Sequence, residues 1–139
     1  MNQTADLTEK TLSREEKYQG SFLSLHVDQV QLPNGRTSFR EVVEHVDGVA
    51  ILALDDRNNV LTVTQYRYVI GKTLLEIPAG KLEPGEDPVA GALRELKEET
   101  GAVPDTFLPM GVTLPSPGCL SERLYLFCLL YTSPSPRDG

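Results

Sequence analysis

The chain has 139 residues, and its 13 Lys and Arg against 20 Asp and Glu give a formal net charge of −7. An apolar fraction of 40% can supply the core of one domain, while the acidic balance excludes a broad electrostatic grip on nucleic acid or on an anionic membrane. The sequence also lacks the apolar run of roughly 20 residues that a membrane span requires and the cysteine spacing of a disulfide framework or zinc site.

Residues 1–16 are charged and without hydrophobic periodicity, which predicts a flexible amino terminus. A short helical turn over residues 12–17 is the alternative. The terminus is polar rather than signal-like, and from this we expect a cytoplasmic location.

Residues 17–46 are predicted to form an amino-terminal region of antiparallel strands. One strand covers residues 22–32 and the returning strand covers residues 37–46, with a hairpin turn at Gly35 between them. The apolar positions of the first strand are Phe22, Leu25, Val27, Val30 and Leu32.

A second strand pair is predicted over residues 49–54 and 60–68. The first of these segments is almost entirely apolar and the second alternates, with a polar turn at residues 55–59 between them. Gly71 then breaks the pattern, so four strands are predicted before any helix.

A helix is predicted from Pro88 to about Thr100. Asp87 can accept from the unpaired amides of the first turn, Pro fits the first helical position, and Gly101 suits a left-handed C-cap. The apolar stripe expected to face the sheet consists of Val89, Ala92, Leu93 and Leu96.

Residues 107–114 and 123–130 are predicted strands, and the loop at 115–118 between them is rich in Pro and Gly. The order of strands, one helix and further strands predicts an α+β fold, in which a mixed sheet carries the helix on one face.

Residues 128–139 end in a Ser/Pro-rich stretch with no place in this pattern. The string CLLYTSPSPRD, residues 128–138, matches one translation frame of a transposon-type sequencing adapter. We therefore interpret residues 128–139 as a non-native tail, and a natural disordered tail is the alternative.

Three glutamates, Glu95, Glu98 and Glu99, fall at i, i+3 and i+4 and therefore share one face of the predicted helix. Like charges at this spacing repel one another unless a cation binds between them. Oxygen-only ligands favour Mg²⁺ or Mn²⁺, so the pattern indicates a divalent metal site. The alternative is an ordinary solvated helix face.

The same segment carries a fixed pattern of Gly80, Glu86, Arg94, Glu95, Leu96, Glu98, Glu99 and Gly101. This pattern resembles the Nudix box. The resemblance implies an α/β/α Nudix sandwich, with a catalytic domain over residues 47–127 that is incomplete at its carboxyl end. It implies metal ligation by the carbonyl of Ala79 and the carboxylates of Glu95, Glu98 and Glu99. It also implies that Glu86 and Arg94 hold the loop against the helix. Arg94 would assist catalysis by orienting the carboxylates, and Glu98 would be catalytic beside its assisting role as a ligand.

Further segments resemble the ADP-ribose pyrophosphatase branch of this family. They are Gln65, Tyr66 and Arg67, then residues 75–80, and then Ser116, Pro117 and Gly118. The resemblance implies Mg²⁺-dependent hydrolysis of ADP-ribose to AMP and ribose 5-phosphate, with Glu122 as an additional catalytic carboxylate. An exposed loop acid, or a partner of Arg123, is the alternative for Glu122.

By the same resemblance, four residues are expected to bind the nucleotide diphosphate substrate: Arg40, Glu41, Arg67 and Glu76. Each could instead form an ion pair between strands. The branch also implies a homodimer in which residues 17–46 pair across a two-fold axis. Rival functions are hydrolysis of other nucleotide sugars or of dinucleoside polyphosphates, and nucleotide sensing without turnover.

Overall fold

The structure is a computed structural model that describes residues 5–101 and 103–132. Its elements, in chain order, are β1 (Lys10–Gln19), β2 (Leu23–Gln31), β3 (Thr37–His45), β4 (Gly48–Leu54), β5 (Val63–Arg67), β6 (Lys72–Glu76), β7 (Ala79–Lys81), α1 (Pro88–Thr100), β8 (Thr106–Thr113) and β9 (Leu124–Leu130). The helix in this part of the chain is too short and too polar to cross a membrane.

The chain divides into two compact units. Unit 1 comprises Met1–Val46 and Leu114–Glu122, and unit 2 comprises Asp47–Thr113 and Arg123–Gly139.

Unit 1 is built on an antiparallel sheet in the order β1-β2-β3. The expected flexible terminus is wrong for residues 10–16 and the alternative helical turn is wrong for residues 12–17, because Lys10–Gln19 forms strand β1. All ten residues of β1 are exposed, and the strand is held by backbone pairing with β2. Because β1 buries no apolar face, its sequence carries no hydrophobic periodicity that could predict it.

Unit 2 contains a mixed sheet in the order β7-β4-β9-β8, in which β4 and β9 are parallel and the other pairs antiparallel. β4 lies inside this sheet and is almost wholly buried, which accounts for its continuous apolar run. The sheet and helix confirm the predicted α+β class. The core consists of Val49, Ile51, Ala53, Leu82, Ala92, Leu96, Phe127 and Leu129.

The predicted pairing of the second strand pair is wrong. β5 does not form a hairpin with β4; it pairs with β6 in a separate two-stranded sheet. Between the expected partners there is an isolated bridge, Leu54 to Val60. Gly71, with φ of 72°, forms the turn that returns the chain as β6. The five-residue β6 and the three-residue β7 were not predicted.

The carboxyl-terminal strands agree with the prediction. β9 continues across the expected boundary between residues 127 and 128, and Leu129 is fully buried in the core. Residues 128–130 thus take part in the sheet. The remainder of the proposed non-native tail, from residue 133 onward, lies outside the described residues.

The helix ends are confirmed. Asp87 accepts a hydrogen bond from the Ala90 amide at 3.2 Å, and Gly101 adopts φ of 72°. The expected apolar stripe is only half correct, because Ala92 and Leu96 are fully buried whereas Val89 and Leu93 are each 38% exposed. The contact with β4 and β7 is narrower than the apolar stripe of the sequence.

Candidate active site

The loop before α1 lies against the helix at Gly80. Gly80 belongs to β7, which pairs with β4, and a Cβ added there would overlap the carboxylate of Glu95. The Glu95 side chain is therefore packed over bare backbone and is only 12% exposed. A glycine at this position is required by that close approach.

Arg94 and Glu86 tie the loop to the helix. The Arg94 Nε and Nη2 atoms each donate to one oxygen of Glu86 at 3.0 Å, and Nη2 also donates to the Lys81 carbonyl at 3.3 Å. Glu86 in turn accepts from the Glu83 amide at 3.1 Å. The Arg94 guanidinium, with the help of this amide, lowers the pKa of Glu86 to about 2. The role expected for this pair, holding the loop, matches the contacts.

The three helix glutamates differ in their surroundings. Burial first, and then the charges of Glu98 and Glu99, raise the pKa of Glu95, while Arg94 opposes the shift. Arg94 Nη1 lies 3.3 Å from Glu95 Oε1 and 3.4 Å from Glu98 Oε1. Glu98 and Glu99 are exposed. Glu95 is thus a carboxylate that its environment makes costly to ionise, which a cation would correct.

The donor set fits a hard divalent ion by its chemistry, because the three carboxylates are oxygen ligands on consecutive turns of one helix. The side chains do not converge, however. Within the described residues, no group of three or more His, Cys, Asp or Glu is arranged to hold a metal ion. Glu98 and Glu99 have room to turn, and Glu98 would have to leave Arg94.

Arg67 and Glu76 lie on the β5–β6 hairpin of unit 2. Arg67 Nε and Nη2 donate to the two carboxylate oxygens of Glu76 at 2.8 and 2.6 Å. Both line a cleft of about 380 Å³ together with the exposed Tyr66 and Tyr68. The structure therefore brings these two predicted substrate residues together. They form an ion pair between strands, which the sequence had left open as the alternative to substrate binding.

Arg40 and Glu41 lie on β3 of unit 1, and the structure does not pair them with each other. Arg40 donates to both oxygens of Glu9 at 2.9 Å, and Glu41 is exposed. Glu9 lies in the segment to which the sequence assigned no role.

Glu122 ends the loop segment that belongs to unit 1. The loop is fixed to β3, because Ser121 donates its amide to the Val43 carbonyl at 2.9 Å and Leu120 bridges Val43. The Glu122 carboxylate lies 3.8 Å from the His45 Nδ1 atom. With its side chain 20% exposed, Glu122 is neither a freely solvated acid nor deeply buried.

Unit 1 also contains a charged network that the sequence did not predict. His26 and Asp28 are buried with Val30 on one face of β2, whereas the predicted apolar positions Leu25 and Val27 are only partly buried. Arg14 donates to both oxygens of Asp28 at 2.9 and 3.0 Å. The sequence signal that could have revealed this network is the spacing of His26, Asp28 and Val30. They lie two residues apart and therefore point to the same face of the strand.

The NUDIX domain profile matches residues 44–136, and the profile of the nucleoside diphosphate sugar hydrolase N-terminal domain matches residues 9–43. The chain is 43% identical over 121 residues to an ADP-ribose pyrophosphatase of Bacillus subtilis (strain 168), covering 87% of this chain and 65% of that protein.

A methanol dehydrogenase activator of Bacillus methanolicus is 45% identical over 119 residues, which cover 86% of this chain and 64% of that protein. The chain thus spans just under two thirds of the length of these relatives. A crystal structure of an ADP compounds hydrolase matches with a TM-score of 0.78 at 19% identity, covering 96% of this chain and 76% of the other. This likeness supports the fold.

Proposed function

The chain belongs to the Nudix hydrolase family, and we propose that it hydrolyses ADP-ribose to AMP and ribose 5-phosphate in an Mg²⁺-dependent reaction. The observation that carries the proposal is the packing of Glu95 over Gly80, with Arg94 fixed to Glu86 beside it. This arrangement holds the Glu95 carboxylate on the helix face that Glu98 and Glu99 share, where like charges repel one another unless a cation binds between them.

In this proposal, Glu95, Glu98 and Glu99 hold the metal with the carbonyl of Ala79, and Mn²⁺ can replace Mg²⁺. When bound, the ion would neutralise the diphosphate and lower the pKa of a ligated water. Arg94 orients Glu95 and Glu98, since its Nη1 atom lies near both.

Glu122 is proposed to accept the proton of the attacking water. Its support is its place on a loop that is hydrogen-bonded to a strand, which limits its motion. Arg40, Glu41, Arg67 and Glu76 are proposed substrate contacts. Substrate phosphates would compete with Glu76 for Arg67 and with Glu9 for Arg40. A guanidinium group can donate two parallel hydrogen bonds to a phosphate as well as to a carboxylate.

A homodimer and a cytoplasmic location complete the proposal. For the homodimer, the support is that β1 is an edge strand with all ten residues exposed, and exposed edges are commonly covered by another chain. Residues 17–46, which include the last three residues of β1, are proposed to pair across a two-fold axis.

The test is a product assay with ADP-ribose, a GDP-sugar and a dinucleoside polyphosphate, each with and without Mg²⁺. We expect AMP from ADP-ribose with Mg²⁺, and Glu99→Gln should lower the rate by at least about 100-fold without loss of fold. Asp56→Asn, which removes an exposed carboxylate from the turn after β4, is the control. Cleavage of the GDP-sugar but not of ADP-ribose would show that the substrate is a different nucleotide sugar. Nucleotide binding without turnover would indicate a nucleotide sensor. Full activity in Glu99→Gln would refute the metal assignment.

A further inference from the structure

The Arg40 side chain, on β3 of unit 1, is paired with a carboxylate from the segment that precedes β1. Its Nε and Nη2 atoms donate to the two oxygens of Glu9, each at 2.9 Å, so two parallel hydrogen bonds join the groups. A phosphate accepts from a guanidinium through the same pair of donors. Glu9 therefore occupies the edge of Arg40 that a phosphate would use.

The third nitrogen of Arg40 is held by its own strand. The Nη1 atom donates to the Phe39 carbonyl at 3.1 Å, in a hydrogen bond that does not involve Glu9. β3 therefore helps to orient the guanidinium. If Glu9 moved away, the bond to Phe39 would remain, and the Nε and Nη2 atoms would be free to donate to another anion.

The strand register shows why Arg40 takes its partner from outside the sheet. Asp28 on β2 lies opposite Arg14 on one side and Arg40 on the other, so the three residues share one face. Arg14 donates to both oxygens of Asp28 at 2.9 and 3.0 Å. The acid beside Arg40 in the sheet is thus already paired, and Arg40 binds Glu9 instead.

The two arginine–carboxylate pairs of this face differ in exposure. The Asp28 side chain is 7% exposed, so separation from Arg14 would leave a charge in a buried place. In the second pair the side chains of Arg40 and Glu9 are 42% and 35% exposed, so water can solvate both charges when they separate. The hydrogen bond from Arg40 lowers the pKa of Glu9, which is therefore an anion at neutral pH. Of the two carboxylates, Glu9 is the one that another anion can replace.

We propose that Glu9 is an internal competitor of the substrate: its carboxylate occupies Arg40 in the free protein, a substrate phosphate displaces it, and the displacement releases the segment before β1 from β3. The inference rests on the proposed function in so far as Arg40 contacts the substrate phosphates. Molecules in which Glu9 holds Arg40 cannot bind through it, which weakens the apparent affinity in proportion. Because the displacement occurs on binding, Glu9 affects Kd and KM and leaves kcat unchanged.

The first experiment measures the Kd of ADP-ribose by titration calorimetry in EDTA, so that no metal-dependent turnover occurs. Glutamine cannot accept through both of its terminal atoms, so Glu9→Gln should lower Kd by about 2- to 5-fold, the range for an exposed ion pair. Asp6→Asn is the matched control, because it removes the same charge from the same segment and Asp6 accepts from the Thr8 amide. It should leave Kd unchanged. No binding of ADP-ribose, an unchanged Kd in Glu9→Gln, or an equal fall in both variants would overturn the proposal.

The second experiment repeats the titration in an Arg40→Gln background. Arg40→Gln alone should raise Kd by at least about 10-fold, because hydrogen bonds from a charged group are lost. Adding Glu9→Gln should then have no further effect, since no guanidinium is left to compete for. A fall in Kd that persists in this background would show that Glu9 acts by another route, and the proposal would be wrong.

The third experiment follows the release of the segment by NMR relaxation of the Thr8 and Glu9 amides. Both amides should become more mobile when ADP-ribose is added to the unsubstituted protein. In Glu9→Gln the amides of residues 8 and 9 should be mobile already, and ADP-ribose should change them little. Amides that keep their mobility when Arg40 binds the ligand would contradict the displacement.

Hydrolysis assays with Mg²⁺ separate this inference from the proposed function. If ADP-ribose is hydrolysed, Glu9→Gln should lower KM and leave kcat unchanged. A change in kcat at constant KM would overturn the competition while the proposed function stands. If ADP-ribose binds but is not hydrolysed, the proposed function is wrong, and the Kd values still decide whether Glu9 competes for Arg40.

Discussion

Replacing Gly80 with alanine places a methyl group where the Glu95 side chain lies. The added Cβ would overlap the Oε1, Cδ and Cγ atoms of Glu95, so a small rotation of the carboxylate is not enough. The whole side chain must leave its place over the loop. The substitution thus displaces the most buried of the three proposed carboxylate ligands without changing any ionisable group.

The expected cost to stability is modest. Overpacking costs about 1–3 kcal/mol, and we expect the lower end because the displaced carboxylate regains water. At roughly 3–5 °C per kcal/mol for a chain of this length, Tm should fall by about 3–7 °C. The effect on the site should be larger, with Mg²⁺ affinity and the rate of hydrolysis reduced by about 10- to 100-fold.

Gly85→Ala is the matched control in the same loop. Gly85 has φ of 75°, and an added Cβ would have no atom within 4 Å, so the substitution strains the backbone by about 1–2 kcal/mol and leaves Glu95 in place. Thermal unfolding, Mg²⁺ titration calorimetry and hydrolysis are measured on both variants. Equal losses of Mg²⁺ affinity in the two, or unchanged affinity in Gly80→Ala, would show that the packing of Glu95 does not serve metal binding.

Two further predictions concern stability. The pKa of Glu86 is lowered from 4.5 to about 2, so the stabilisation from its pairing with Arg94 is complete above about pH 4.5 and is lost as the pH falls towards about 2. In urea unfolding at several pH values, Arg94→Gln should flatten this part of the acid dependence, and an unchanged slope would contradict the assignment. Leu96→Ala should lower the free energy of unfolding by about 2–5 kcal/mol, because Leu96 is fully buried. Leu93→Ala should lower it by less than about 1 kcal/mol, because Leu93 is partly exposed. Equal losses of unfolding free energy in the two variants, measured by denaturant unfolding, would show that Leu93 packs against the sheet as closely as Leu96.

The helix was predictable because its signals are local. Asp87 and Gly101 act on amides and carbonyls within one turn of themselves, and the spacing of the glutamates fixes their common face before any tertiary contact exists. The apolar run of β4 was equally informative, because a strand buried on both faces must be apolar throughout.

The pairings that the sequence missed join strands that follow each other along the chain but lack a distinctive side-chain pattern. β1 is stabilised by backbone pairing with β2 rather than by burial, and β5 takes β6 instead of β4 as its partner. Backbone hydrogen bonds have the same chemistry at every residue, so the choice of strand partner leaves little trace in side-chain patterns.

For this protein, the sequence alone determined the helix, its three carboxylates and the loop that precedes them, since each depends on fixed local spacing. Only the tertiary structure decided that Glu95 packs on Gly80, that Arg40 binds Glu9, and that His26 is buried between Asp28 and Glu44. Those contacts join residues of different elements, except that His26 and Asp28 share β2 and that Glu9 precedes β1. Their burial and charge balance exist only once the sheets have formed.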